Sequence, residues 1–181
     1  MEERINTMGA EADDTHRKWM QVALTLADRA AAIGEIPVGA IVVLDGEIIG
    51  EGWNQSIVND DPSAHAEMIA IRHAAKKVGN YRVINADLYV TLEPCPMCAG
   101  VLVHSRVARV IYGASDYKTG AAGSVMNLLQ HENLNHKTDV ISGVLAEACA
   151  DKISSFFKMR RDEKKRLKAL KKQERKLQEG E

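Results

Sequence analysis

Residues 86–98 read Ala86-Asp87-Leu88-Tyr89-Val90-Thr91-Leu92-Glu93-Pro94-Cys95-Pro96-Met97-Cys98, a short apolar run that breaks at a glutamate, two prolines and two cysteines three apart. The run from Ala86 to Thr91 predicts a strand, and a proline on either side of Cys95 predicts that a helix starts there. With either proline as the start, Cys95 and Cys98 fall on one face of the first turn, where two sulfurs can grip one metal ion. Upstream, Asp61-Pro62-Ser63-Ala64-His65-Ala66-Glu67 supplies a capping residue and a helix-starting proline. The apolar run Met68, Ile69, Ile71 and Ala75 follows, which puts His65 in the opening turn of a second helix. One imidazole and two thiolates make a nitrogen and sulfur set that suits zinc, and three protein ligands leave a fourth tetrahedral position open for catalysis. Two helix N-termini facing one ion lower the cost of gathering negative charge there. Water bound in favourable zinc sites has its pKa lowered from about 15.7 to about 7.

Glu67 stands beside that ion without being needed as a ligand, so it can take a proton from the water and later give it to a leaving amine. Together these residues point to hydrolytic deamination, and their order, H-x-E followed by P-C-x-x-C, is the signature described for zinc deaminases. Singly they carry less. A histidine at a helix start is commonly a cap or a packed residue, and an isolated Cys-x-x-Cys can be a redox pair or half of a structural zinc knuckle. A structural site needs a fourth ligand, and there is no second Cys-x-x-Cys. The third cysteine, Cys149, falls in an apolar helical stretch and reads as a buried small side chain.

A length of 181 residues allows one domain with a substantial core. Hydrophobic residues at 45% and charged residues at 27% exclude wholesale disorder. No apolar run approaches the roughly 18 residues of a membrane span, and Met1-Glu2-Glu3-Arg4 lacks the basic and apolar regions of a secretory signal. An odd count of three cysteines, two of them metal-spaced, agrees with a reducing compartment, so the expected location is cytoplasmic. The net charge of −1 is unevenly spread: acids from Glu2 to Asp14 load the front and cations from Lys158 to Lys176 load the end. Such asymmetry suits a nucleic-acid contact at one end, and equally a solvated helix face.

In chain order, residues 1–13 are expected to be a disordered acidic leader, 14–162 the folded domain, and 163–181 a charged helical extension that projects and frays. An amphipathic helix from about Thr15, capped by Asp14, ends at Gly34. Val38 to Val43, Asp45-Gly46 and Glu47 to Gly50 predict a hairpin, after which Asn54 lies near the prospective site. The His65 helix runs to about Val78 and the cysteine helix to about Ser105. A strand at Arg109 to Gly113, a glycine-bounded loop with Asp116, Lys118 and Thr119, a short helix at Val125 to Leu129, a strand at Lys137 to Ile141 and a long helix from about Ala146 complete the chain. Strand, helix, strand recurrence predicts an α/β protein with parallel pairing behind the hairpin, helices on both faces, and the site at strand ends where helices begin.

With these residues in place the sequence resembles the zinc-dependent nucleoside and nucleobase deaminases, and most closely the bacterial tRNA-specific adenosine deaminases of the TadA type. The resemblance runs from about Trp19 to Arg161 and includes Ile36-Pro37-Val38-Gly39-Ala40, Gly52-Trp53-Asn54, residues 61–67, residues 91–100, Lys118-Thr119-Gly120-Ala121-Ala122-Gly123-Ser124 and Phe156-Phe157-Lys158-Met159-Arg160-Arg161. It implies the three-layer α-β-α cytidine-deaminase-like fold with a mixed five-stranded sheet, a homodimer, one Zn2+ per subunit, and conversion of the wobble adenosine of a tRNA anticodon to inosine. By position it assigns zinc to His65, Cys95 and Cys98, proton shuttling to Glu67 and base recognition to Asn54. Val38, Asp116, Lys118, Phe157 and Arg161 match positions around the nucleotides of the anticodon stem-loop, although the neighbouring Phe156 and Arg160 can exchange roles with the last two. An anticodon loop is single-stranded, so a base can be splayed into a pocket and read at its edge by an amide. With aromatic residues at 4%, shape and backbone contacts should matter more than stacking. The alternatives are a deaminase of free guanine, cytosine or a nucleoside, and a non-catalytic zinc RNA-binding module, for which Glu67 would be surplus.

Overall fold

The structure is a computed structural model that describes the backbone of residues 2–178 and the side chains of 13–175. Its elements in chain order are α1 (Glu2–Ala32), β1 (Gly39–Leu44), β2 (Glu47–Trp53), α2 (Ala66–Val78), β3 (Asp87–Leu92), α3 (Pro96–His104), β4 (Arg109–Ala114), β5 (Asp139–Ile141) and α4 (Ala146–Gln178). β1 and β2 form the expected hairpin. Its turn residues Asp45 and Gly46 take φ of 51° and 78°, the geometry of a two-residue primed turn. β1 also pairs antiparallel with β3, whereas β3, β4 and β5 are parallel, so the sheet has five strands in the order β2-β1-β3-β4-β5.

Strand alternation builds a core on each face of this sheet. Ala40, Val42, Leu88, Val90, Val110 and Tyr112 point toward α2 and α3, while Ile41, Val43, Tyr89 and Ile111 point toward α1 and α4, as a period of two requires. With helices on both faces this is the three-layer α/β arrangement. The layers sit close. A Cβ added at Gly52 would collide with the Ala66 carbonyl at the start of α2, so glycine in β2 lets the histidine helix lie directly on the strand. The parallel β3 and β4 both end where α2 and α3 begin, and the site lies there.

Three local expectations are corrected. α1 begins at Glu2 rather than near Thr15, so Asp14 sits inside the helix and does not cap it. In residues 1–13 there is no proline and only one glycine, Gly9, to stop a helix. Of that leader, the side chains up to 12 lie outside the described residues and Asp13 is exposed. The helix expected at Val125 to Leu129 is a turn with an Ala122–Asn127 bridge, because the N–H groups of Val125 and Met126 both donate to the Gly120 carbonyl. β5 is shorter than expected, beginning at Asp139.

Candidate active site

Two helix caps carry the chemistry. His65 is the N-cap of α2 (φ −74°, ψ 154°) and Cys95 the N-cap of α3 (φ −75°, ψ 171°), with Pro96 as the first helical residue. Proline there gives up no intrahelical bond. Neither side chain makes a capping bond to its helix, so ring and thiol are placed to face a ligand. Asp61, read as the cap, instead accepts from the backbone and hydroxyl of Ser63, both at 2.7 Å, and shapes the approach to α2.

His65 Nδ1 lies 3.6 Å from both Cys95 Sγ and Cys98 Sγ, and the three donor atoms all lie within 4.8 Å of one another. Tetrahedral zinc, with bonds of about 2.0 Å to nitrogen and 2.3 Å to sulfur, would set such atoms roughly 3.5–3.8 Å apart. The donor set therefore fits zinc. The hydrogen bond from Cys98, against the effect of burial, holds Cys95 down at about 4, and the same bond and burial push Cys98 up. The Cys95 contact also raises His65. Glu67 is 4% exposed, and burial pushes its carboxyl up to about 7, suited to exchanging a proton near neutral pH.

These groups face a pocket of about 180 Å³ lined also by Ile36, Val38, Asn54, Leu92, Glu93, Asp116 and Thr119. It is smaller than the roughly 300–1,000 Å³ of sites for drug-sized ligands and suits one planar base. A larger recess of about 540 Å³, bordered by His16, Trp19, Tyr89 and Arg109, holds none of the metal-ligating groups. Asn54 is oriented at both ends: its N–H donates to the Val38 carbonyl at 3.1 Å, and its Oδ1 accepts from the Ala66 N–H at 3.0 Å, one of the donors a helix start leaves unpaired. Its NH2 remains as the donor offered to a ligand.

Of the residues singled out by sequence, Val38, Asn54, His65, Glu67, Cys95 and Asp116 share the pocket, with Cys98 fully buried behind it. Lys118 is exposed on the Asp116 loop, and Phe157 and Arg161 are exposed on α4; none of the three lines the pocket. Phe156 is turned inward at 7% exposure whereas Phe157 is 41% exposed. Arg160 pairs with Glu163 at 3.3 Å while staying exposed, so Phe157, Arg160 and Arg161 all face outward.

Two buried carboxylates escaped the sequence reading. Glu93 is 2% exposed; its Oε2 accepts from the Asp116 N–H at 2.9 Å, and its Oε1 from the Ala122 and Ser124 N–H groups at 3.0 Å each. Gly120 leaves room for it, since a Cβ there would stand 2.5 Å from Glu93 Oε2. Glu35 is 1% exposed and accepts from the Ile57 and Val58 N–H groups at 2.6 and 2.9 Å. Each pins a loop beside the pocket. The available clue was a glutamate at a strand end with a glycine-rich loop downstream.

Residues 13–114 match the cytidine and deoxycytidylate deaminase zinc-binding region. The chain is 60% identical over 154 residues to a tRNA-specific adenosine deaminase of Haemophilus influenzae, covering 84% of this chain and 89% of that one. A solved structure from a study of A-to-I editing by tRNA:A34 deaminases at the wobble position of transfer RNA superposes with a TM-score of 0.72 at 40% identity, over 75% of this chain and 98% of that one. A guanine deaminase structure from Bacillus subtilis gives 0.53 at 43% identity, over 55% and 64%. The chain belongs to the cytidine and deoxycytidylate deaminase family and, within it, to the tRNA-specific adenosine deaminases.

Proposed function

We propose that this protein hydrolytically deaminates adenosine to inosine at the wobble position of a tRNA anticodon, with His65, Cys95 and Cys98 holding one zinc ion per subunit. The observation that carries this reading is the convergence of those three donors and the buried Glu67 on a base-sized pocket, in a chain with the family membership just described. Zinc, when bound, supplies the Lewis acidity that makes a water a nucleophile near neutral pH. Asn54 Nδ2 donates to the edge of the base, and Ile36, Val38 and Leu92 exclude solvent around it. Glu67 accepts the proton of the attacking water and returns it to the departing amine, so that water enters, the C–N bond breaks and ammonia leaves.

Asp116 and Lys118, on the loop pinned by Glu93, with Phe157 and Arg161 on α4, hold the neighbouring nucleotides and phosphates of the anticodon stem-loop. Residues 14–162 make up the deaminase domain and 163–181 a charged extension of it. The protein works as a homodimer in the cytoplasm, a reading supported by the exposed Ile57 and Val58 on the loop that Glu35 pins and by three free cysteines. Among the described residues no helix is long and apolar enough to cross a membrane. The likeness to a guanine deaminase favours one second reading, deamination of free guanine. Incubating the protein with a panel of tRNA transcripts, free guanine and free nucleosides, and reading both ammonia and inosine by sequencing, separates the two. Turnover of guanine with untouched tRNA would overturn the wobble reading.

A further inference from the structure

α4 continues far past the part of it that packs. Phe156 and Met159 share an apolar recess with Pro37, whose neighbours Ile36 and Val38 line the catalytic pocket, so the helix leaves the body beside the pocket. From Phe157 to Arg175 every described side chain is exposed. At 3.6 residues per turn, Arg161, Lys164, Lys165, Lys168, Lys171 and Lys172 fall within an arc of about 120°. Glu163, Leu167, Leu170 and Glu174 occupy the opposite side. Six of the seven cations from Arg161 to Lys172 thus share one face, with Arg166 on the opposite side, and they are little paired: of these six, Lys165 alone has an acidic partner among the described residues, Asp162 at 3.9 Å. Lys164 with Lys168, and Lys168 with Lys172, stand one turn apart as like charges, which weakens a helix standing alone. A merely solvated helix gains by interspersing its charges; a one-sided cationic stripe is stabilised by a polyanion running alongside it.

We infer that the basic face of α4 beyond Arg161 is a second RNA contact, one that follows the phosphate backbone of the tRNA outside the pocket. The inference rests on the tRNA reading above. From Arg161 to Lys172 the stripe extends roughly 17 Å, enough for several successive phosphates and too long to serve one splayed base. It reads charge and not sequence, so it adds affinity without choosing the edited nucleotide.

The test compares full-length protein with K164Q/K168Q/K171Q/K172Q, and with the four lysines changed to arginine, keeping helix propensity throughout. Dissociation constants for a full tRNA transcript are measured against salt, and deamination is followed at saturating tRNA. The glutamine variant should bind tRNA at least tenfold more weakly at moderate salt. Its log K against log salt slope should flatten by about 0.7–0.9 for each phosphate that a lysine no longer neutralises, with saturated turnover unchanged, and the arginine variant should match the parent. Equal affinity and slope in parent and glutamine variant would overturn the contact. So would a glutamine variant that keeps tRNA affinity but no longer binds vesicles containing anionic phosphatidylglycerol, since the stripe would then face a membrane surface. A parent that shows the tRNA slope yet forms no inosine sinks the deamination reading alone.

Discussion

At the residue scale the proposed site divides into three groups that could hold a metal and one proposed to move a proton, and substitutions should separate them. Glu67→Ala removes a shuttle and no ligand, so zinc content should stay at the parent level while turnover falls by at least 10²–10⁴-fold. Metal analysis of the purified variant is the control, and loss of zinc there would reassign Glu67. Cys95→Ala should do the reverse at the first step, losing zinc and therefore activity, because two remaining donors must hold a half-hydrated ion. Glu67 also predicts a pH effect in chelator-treated protein. Its folded-state pKa of about 7 lies above the ordinary 4.5, so between these values the folded chain keeps a proton that the unfolded chain has lost. Stability therefore falls as pH rises through that window, by about 3 kcal/mol in all, and is highest below pH 4.5 for this group alone. Urea titrations of metal-free parent and Glu67→Gln should differ by that slope. Parallel curves would mean that the carboxyl is not desolvated as the structure places it.

At the scale of elements, β3 ends in a residue that organises a loop far along the chain. Glu93 gathers N–H groups from Asp116, Ala122 and Ser124, and the same loop presents Lys118. Glu93→Gln turns one accepting oxygen into a donor facing N–H, at a cost of about 1.5–3 kcal/mol, or a fall in Tm of about 3–12 °C for a chain of this size. Zinc should be retained and KM for tRNA should rise about tenfold, more than kcat falls, because the loop and not the metal is disturbed. Unchanged KM with a lowered Tm would make Glu93 structural only. This role was not legible in the sequence, since its partners lie 23 to 31 residues away and no local period encodes them. What was legible followed from local rules: alternation for the strands, Asp45-Gly46 for the hairpin, Pro96 and Gly79 for helix ends. The apolar run at Val125 to Leu129 misled because it is too short to distinguish helix from turn, and Gly120 settled it by accepting both N–H groups.

For the whole molecule, a metal held by His65, Cys95 and Cys98 would clip together two helices that are already anchored on the sheet. α2 rests on β2 through glycine contacts at Gly50 and Gly52, and the core beneath α2 and α3 is continuous through Val42, Leu88, Val90 and Leu102. A second core under α1 and α4 touches none of the ligands except through the strands. Small zinc domains unfold when the metal is removed because the ion stands in for a core; here two cores remain. Chelation should therefore leave far-UV circular dichroism and the protection of β1, β3 and β4 amides largely intact, while hydrogen exchange rises around 61–67 and 93–98. The loss of stability is what an ion binding only the folded state confers, about 4 kcal/mol when free zinc exceeds its dissociation constant a thousandfold, or a Tm lowered by roughly 8–16 °C. Readdition of zinc should restore both Tm and exchange protection. Complete loss of sheet protection on chelation would show that the His65, Cys95 and Cys98 cluster organises the fold and is not a site mounted upon it.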